Sequence, residues 1–178
     1  ALGLLFMGLE MMAQSMLPLQ HSSTFVNALM HIQNPIWGVC IGMLFTALIQ
    51  SSSASIGILQ ILASKQLISF HQAVYLILGF DLGTCITGFL ASLKGSRNGK
   101  RLALFHFLFN VVGAISFLII SQMIPLVDWI AGWTPLSPLH QIANMHTFYN
   151  MMTTFIVLLC EPYLIQTIQW IYPYHHKK

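Results

Sequence analysis

The chain has 178 residues, 56% of them hydrophobic and only 6% charged, whereas soluble domains carry about a quarter charged residues. Seven Lys and Arg against four Asp and Glu give a net charge of +3, too small and too local to mark a nucleic-acid partner. The mean hydropathy of +0.74 and the absence of any Asp, Glu, Lys or Arg from residue 11 to residue 64 point to an all-α integral membrane protein. Each span needs about 20 apolar residues, so the length allows about five to seven segments. Unbroken apolar runs exclude a barrel, which needs alternating strands of about ten residues.

Ala1 stands inside an apolar run with no basic leader, so the chain is expected to be part of a longer polypeptide rather than to open on a signal peptide. Residues 1–19 read as a first helix, ended by Pro18 and the polar stretch 20–24. Pro35 suits the first position of a second helix. Apolar sequence then runs to Ile49, is interrupted by Gln50-Ser51-Ser52-Ser53-Ala54-Ser55, and resumes to Ser64. One helix over 35–64 would measure about 45 Å, against about 30 Å of hydrocarbon. Two arms meeting at the serines make a re-entrant hairpin instead, and that is the expected form. Segment 70–93 holds Gly79-Phe80-Asp81-Leu82-Gly83-Thr84 at its centre and reads as two half-helices joined by unwound backbone, a discontinuous helix. Basic residues Lys94, Arg97, Lys100 and Arg101 follow, then a span over 102–124, a loop over 125–138 with Trp129 and Trp133 as interfacial anchors, and a last span over 139–165. Trp170, Tyr172 and Tyr174 form a second aromatic belt before the tail 175–178.

Two spans separate the basic loop 94–101 from Lys177 and Lys178, so both lie on one side, which holds six of the seven Lys and Arg. The positive-inside rule makes that side cytoplasmic. Cys40, Cys85 and Cys160 have no paired spacing and indicate neither a disulfide framework nor a zinc site.

Paired helix breaks near the midplane point to a transporter's binding site. The start of a second half-helix exposes unpaired N–H groups and favours an anion. Ser51, Ser52, Ser53 and Ser55 add hydroxyls, while Gln50, Thr84 and freed carbonyls are oxygen ligands for a small cation. The competing reading is that serines and glycines only let helices pack closely. Asp81 is an acid at membrane depth, either beside a cation or protonated and structural. His106 with Asn110, and His146 with Asn150, repeat an i, i+4 pattern that places each pair on one helix face as interhelical glue or as polar support for the site. Glu10 and Glu161 read as structural or snorkelling.

The string QSSSASIGILQ over 50–60 resembles the signature of the type II sodium–phosphate cotransporter family. LGFDLGTCITGFLAS over 78–92 resembles its second signature, and 96–113 and 142–154 are similar to the segments that follow in bacterial members. The resemblance covers nearly the whole chain and implies one repeat, the C-terminal one, of an inverted-repeat transporter with a QSSS in each repeat. It implies a substrate and ion site at Gln50, Ser51, Ser52, Ser53, Ser55, Asp81, Gly83, Thr84 and Thr87, with sodium at Gln50, Ser53, Asp81 and Thr84. His106, Asn110, His146 and Asn150 would support it. Asp81 stands where relatives usually have Asn, and Phe80 where they have a small or amide residue.

The expected function is sodium-coupled transport of inorganic phosphate across the cell membrane, with Na+ as coupling ion and no other cofactor. This chain would supply half of the site, and a second QSSS repeat, from the same polypeptide or a homodimer mate, the other half. The alternative is a non-transporting membrane regulatory or assembly subunit. An intramembrane serine hydrolase is disfavoured, since no G-x-S-x-G elbow occurs.

Overall fold

A computed structural model describes residues 2–16, 18, 22 and 31–173. Most of the expected link 20–30 and the tail 175–178 lie outside the described residues. The elements are α1 (Leu2–Met16), a short 3-10 turn (His31–Gln33), α2 (Pro35–Ile49), α3 (Ser52–Ser64), α4 (Phe70–Ser92), α5 (Arg97–Met123), α6 (Leu126–Ala131) and α7 (Pro138–Ile171). No strand occurs among the described residues. Three helices, α4, α5 and α7, are long and apolar enough to cross a membrane, while α2 and α3 are shorter apolar helices.

Local sequence sets most of the helix ends. Asn34 caps α2, its side chain accepting from the Ile36 amide at 2.9 Å with Pro35 in the first turn. Ser69 and Gln72 form a reciprocal capping box on α4, Ser96 caps α5 and Ser137 caps α7. Such caps supply partners for amides that have no acceptor inside the helix. α3 ends in a Schellman arrangement: Gln66 donates to the Ala63 carbonyl and Leu67 to that of Leu62, with Gln66 at φ 58°.

The helices group by their ends. Pro35, His71, Tyr75, Leu118 and Pro125 line one cavity, and Ala63, Ser69, Phe70 and Pro138 line another. The Gln60 side chain of α3 donates to the Leu139 carbonyl at 2.9 Å. The start of α2, the end of α3, the start of α4, the end of α5 and the start of α7 therefore share one end of the bundle. At the other end Arg101 donates to the Tyr172 carbonyl at 2.6 and 2.9 Å and Arg97 to that of Pro173 at 2.9 Å. These guanidinium bonds tie the start of α5 to the carbonyls just past the end of α7, where a helix dipole favours positive charge. The α2–α3 pair thus enters and leaves by one end.

α4 is the central element: Ala73, Ile77 and Leu78 are fully buried. It runs without a break, and the expected discontinuous helix over 70–93 is corrected. Unwinding there would free amides and carbonyls among apolar neighbours, which costs several kcal/mol per group. Gly79 and Gly83 have another task. Four residues apart, they share a face, and a Cβ on Gly79 would collide with the Val39 carbonyl and the Met43 amide of α2, one on Gly83 with the Met43 carbonyl and Thr46. They are close-packing glycines, the small-residue contact of membrane helices.

Other boundaries shift as well. The expected loop 125–138 contains α6, whose Trp129 packs edge-on against Trp133 and Phe148. α7 continues to Ile171, beyond the expected end at 165, and α5 starts at Arg97, ahead of the expected 102.

Candidate functional site

Between α2 and α3 the chain turns through Gln50 at φ 59°, a left-handed conformation uncommon for a residue with a side chain. The Gln50 amide donates to the Thr46 carbonyl at 2.6 Å, closing α2. Ser51 caps α3 by accepting from the Ala54 amide at 3.2 Å. Ser55 is fully buried, bonding the Ser51 carbonyl at 2.9 Å and the Thr46 hydroxyl at 3.0 Å, which pins the two arms together. Ser52 is half-buried and Ser53 exposed, and neither hydroxyl has a hydrogen-bond partner among the described residues. The Gln50 side chain is exposed too. The tip therefore presents two free hydroxyls, a free amide side chain and the first unpaired amides of α3, a donor set suited to an oxyanion.

Beside this tip, Gly83 seats α4 against Met43 and Thr46 of α2. Thr84 and Thr87 donate to the carbonyls of Asp81 and Thr84 within their own helix, at 2.6 and 3.1 Å. Asp81 lies two residues from Gly83 and from Gly79, roughly 200° round the helix from each, and faces away from α2. Its carboxylate Oδ1 is 3.6 Å from His146 Nε2 of α7, and its carbonyl accepts from Asn110 Nδ2 of α5 at 3.2 Å. Asn110 also reaches Cys85 Sγ at 3.1 Å.

The structure thus divides the sequence-derived site residues. Gln50, Ser51, Ser52, Ser53 and Ser55 gather at the tip with Gly83 behind them. Asp81, Asn110 and His146 gather on the opposite face of α4, and no hydrogen bond or ion pair among the described residues joins the Asp81 carboxylate to Gln50, Ser53 or Thr84, whose hydroxyl bonds the Asp81 backbone carbonyl. Each His/Asn pair contributes one member to Asp81. The others do something else: Asn150 bonds the His146 carbonyl at 3.0 Å, and His106 is exposed beside Gly99 and Gly88 at the basic end. Thr46, Tyr149 and Thr153 escaped the sequence reading. Each is buried, with at most 1% exposure. Tyr149 and Thr153 follow His146 at i+3 and i+7, so a polar stripe on one face of α7 was their available signal. No group of three or more His, Cys, Asp or Glu that could hold a metal occurs among the described residues.

Apolar helices long enough to span, packed round a helix with a buried carboxylate, are those of a polytopic helical membrane protein. This chain belongs to the Na+/Pi-cotransporter family, whose sequence profile matches residues 2–132. It is 31% identical over 158 residues to the uncharacterized protein YqeW of Bacillus subtilis, covering 88% of this chain and 50% of that protein. It is 28% identical over 162 residues to the putative inorganic phosphate export protein YjbB of Escherichia coli K12, covering 88% of this chain and 28% of YjbB. The human sodium-dependent phosphate transport protein 2B is 38% identical over 74 residues, 40% of this chain and 11% of that protein. The chain therefore spans half or less of the length of these relatives. No solved structure matches it significantly.

Proposed function

We propose that this chain forms one half of a sodium-coupled phosphate transporter, with the α2–α3 pair as a re-entrant hairpin whose tip meets a second, inverted QSSS repeat at the substrate site. The observation that carries this reading is the division of labour at the tip. Ser51 and Ser55 build the turn, while Ser52, Ser53 and Gln50 are left unpaired and partly exposed at the start of α3. A dianion held there would meet donors and a favourable dipole, and would be shielded from water only when a second tip closes over it. The names of the relatives, phosphate export for YjbB and sodium-dependent phosphate transport for protein 2B, agree with the substrate and the ion.

The proposed setting is the cell membrane, with 94–101 and the C-terminus cytoplasmic. The test is uptake of labelled phosphate into liposomes, with and without a sodium gradient, by this chain alone and by the chain joined to a first QSSS repeat. The expected result is uptake by the joined form only, abolished when sodium is replaced by choline. Sodium-independent uptake removes the coupling. Complete inactivity of the joined form favours the regulatory-subunit reading.

A further inference from the structure

An apolar cavity of about 240 Å³ lies where α2, α4 and α5 meet, lined by Met43, Leu82, Cys85, Ile86, Phe89 and Phe107. Phe89 and Phe107 are 55% and 42% exposed, so the cavity opens outward from the bundle. At this depth the surroundings are hydrocarbon, and walls of this kind exclude water and take an apolar guest. Along α5, Phe107 and Lys100 stand seven residues apart, two turns on one face and about 10 Å along the axis. On α4, Phe89 is followed four residues later by Leu93, also exposed, and then by Lys94. The cavity therefore leads, toward the basic end of the bundle, to two lysines. Arg97 and Arg101 are engaged with the carbonyls past the end of α7. The Lys94 and Lys100 ammonium groups, by contrast, have no hydrogen-bond or ion-pair partner among the described residues. No Asp or Glu occurs from residue 82 to residue 127, so this pair of helices brings no carboxylate to neutralise them.

We propose that α4 and α5 hold an anionic phospholipid, with one acyl chain in the cavity and the headgroup phosphate at Lys94 and Lys100. The occupant follows from the two ends taken together. A soluble anion would use the lysines and leave the cavity unfilled. An apolar helix of another repeat would fill the cavity and strand two charges against hydrocarbon. A phospholipid matches both, with hydrocarbon at the depth of Phe107 and phosphate about 10 Å nearer the membrane surface. Basic residues beside a bilayer attract anionic lipid, and a zwitterionic headgroup would find no carboxylate here for its ammonium. The bound chain would lie against Leu82 of α4 and Met43 of α2, the two helices whose glycine seam backs the tip. Its occupancy thus bears on the packing of that seam.

The proposal stands apart from the transport reading. Lipid binding is read by native mass spectrometry of the chain, and of the chain joined to a first QSSS repeat. The probes are dioleoyl phosphatidylglycerol, dioleoyl phosphatidylcholine and short-chain dihexanoyl phosphatidylglycerol. Dioleoyl phosphatidylglycerol should bind best in both forms. Lys94→Gln and Lys100→Gln should each lower its affinity about fivefold, the worth of one basic residue beside an anionic membrane, and leave that of phosphatidylcholine unchanged. Lys177→Gln combined with Lys178→Gln, which removes charge from the tail instead, should change neither. Ile86→Phe, which fills the cavity, should bring the dioleoyl lipid down to the affinity of the short-chain one. Equal affinity for the two dioleoyl lipids, or an equal loss from the tail variant, reduces the effect to net charge and overturns the site. Equal binding of the two phosphatidylglycerols shows that the lysines read phosphate without the cavity, and overturns it as well. So does loss of the preference in the joined form, where the first repeat would then occupy the groove.

Discussion

The four serines near the tip are chemically alike and mechanically different. Ser51 and Ser55 spend their hydroxyls on the cap and on the Thr46 contact, so replacing either should loosen the hairpin, by about 1 kcal/mol for a lost cap. Ser52→Ala and Ser53→Ala remove hydroxyls that bond nothing among the described residues. They should leave stability unchanged and weaken phosphate binding by about 1.5–3 kcal/mol each, as phosphate titrations of the two-repeat form at fixed sodium would show. Unchanged affinity in both would place the substrate away from the tip. That serines cluster was plain in the sequence. Which of them remain free depends on the turn falling at Gln50, one backbone angle that residue identity does not announce. Asp81 was legible as a costly buried acid. Its neighbours were not, because a polar residue on a helix stripe names a face and leaves its partner unspecified, and Asn110 and His146 met Asp81 only through the packing of α4, α5 and α7.

α2 and α4 run side by side in the same direction, from Gly38 beside Tyr75 to Thr46 beside Gly83. Their seam is built by Gly38 and Gly42 on one helix and Gly79 and Gly83 on the other. Glycine costs about 1 kcal/mol in a helix relative to alanine, and here the cost is offset by backbones approaching closely enough to pack without voids. The contrast with Gly88 of the same helix is instructive, since a Cβ there meets nothing within 4 Å. Gly88→Ala should therefore be neutral or stabilise by up to about 1 kcal/mol. Gly79→Ala drives a methyl into backbone atoms that cannot rotate away, and overpacking of about 1–3 kcal/mol or more outweighs the propensity gain. Unfolding of the two variants in the same detergent should shift in opposite directions or, at the least, only for Gly79. Two glycines flanking an acid read as a break because breaks and close contacts use the same residue. The spacing of four, which keeps both on one helix face, fits the unbroken helix. The break after Ile49 was readable because five polar positions interrupt the apolar run and Ser51 is a ready cap.

At the scale of the whole molecule, burial separates the helices by role. In the most apolar stretch of α4, 56% of residues are buried, against 28% in α5 and 17% in α7. α7 shows Met151, Phe155, Leu158 and Leu159 outward, and α2 shows Ile36, Leu44 and Leu48. Surfaces of this size and apolarity belong against lipid or against another helical repeat. The ends of the bundle carry the topology. Pro35 and Ser69 share an end, while Ser96 starts α5 at the end where Arg101 holds Tyr172. The proposed re-entrant α2–α3 pair requires Asn34 and Ser69 on one side of the bilayer with Ser96 on the other. Single cysteines at those three positions, in a background without Cys40, Cys85 and Cys160, should divide accordingly when an impermeant thiol reagent is added to intact cells. Asn34→Cys and Ser69→Cys should label, and Ser96→Cys should label only after the membrane is opened. Labelling of positions 34 and 69 from opposite sides would mean that 35–64 crosses the bilayer. The tip serines would then lie within a plain span, where no second repeat could close over them, and the half-site proposal would lose its geometry.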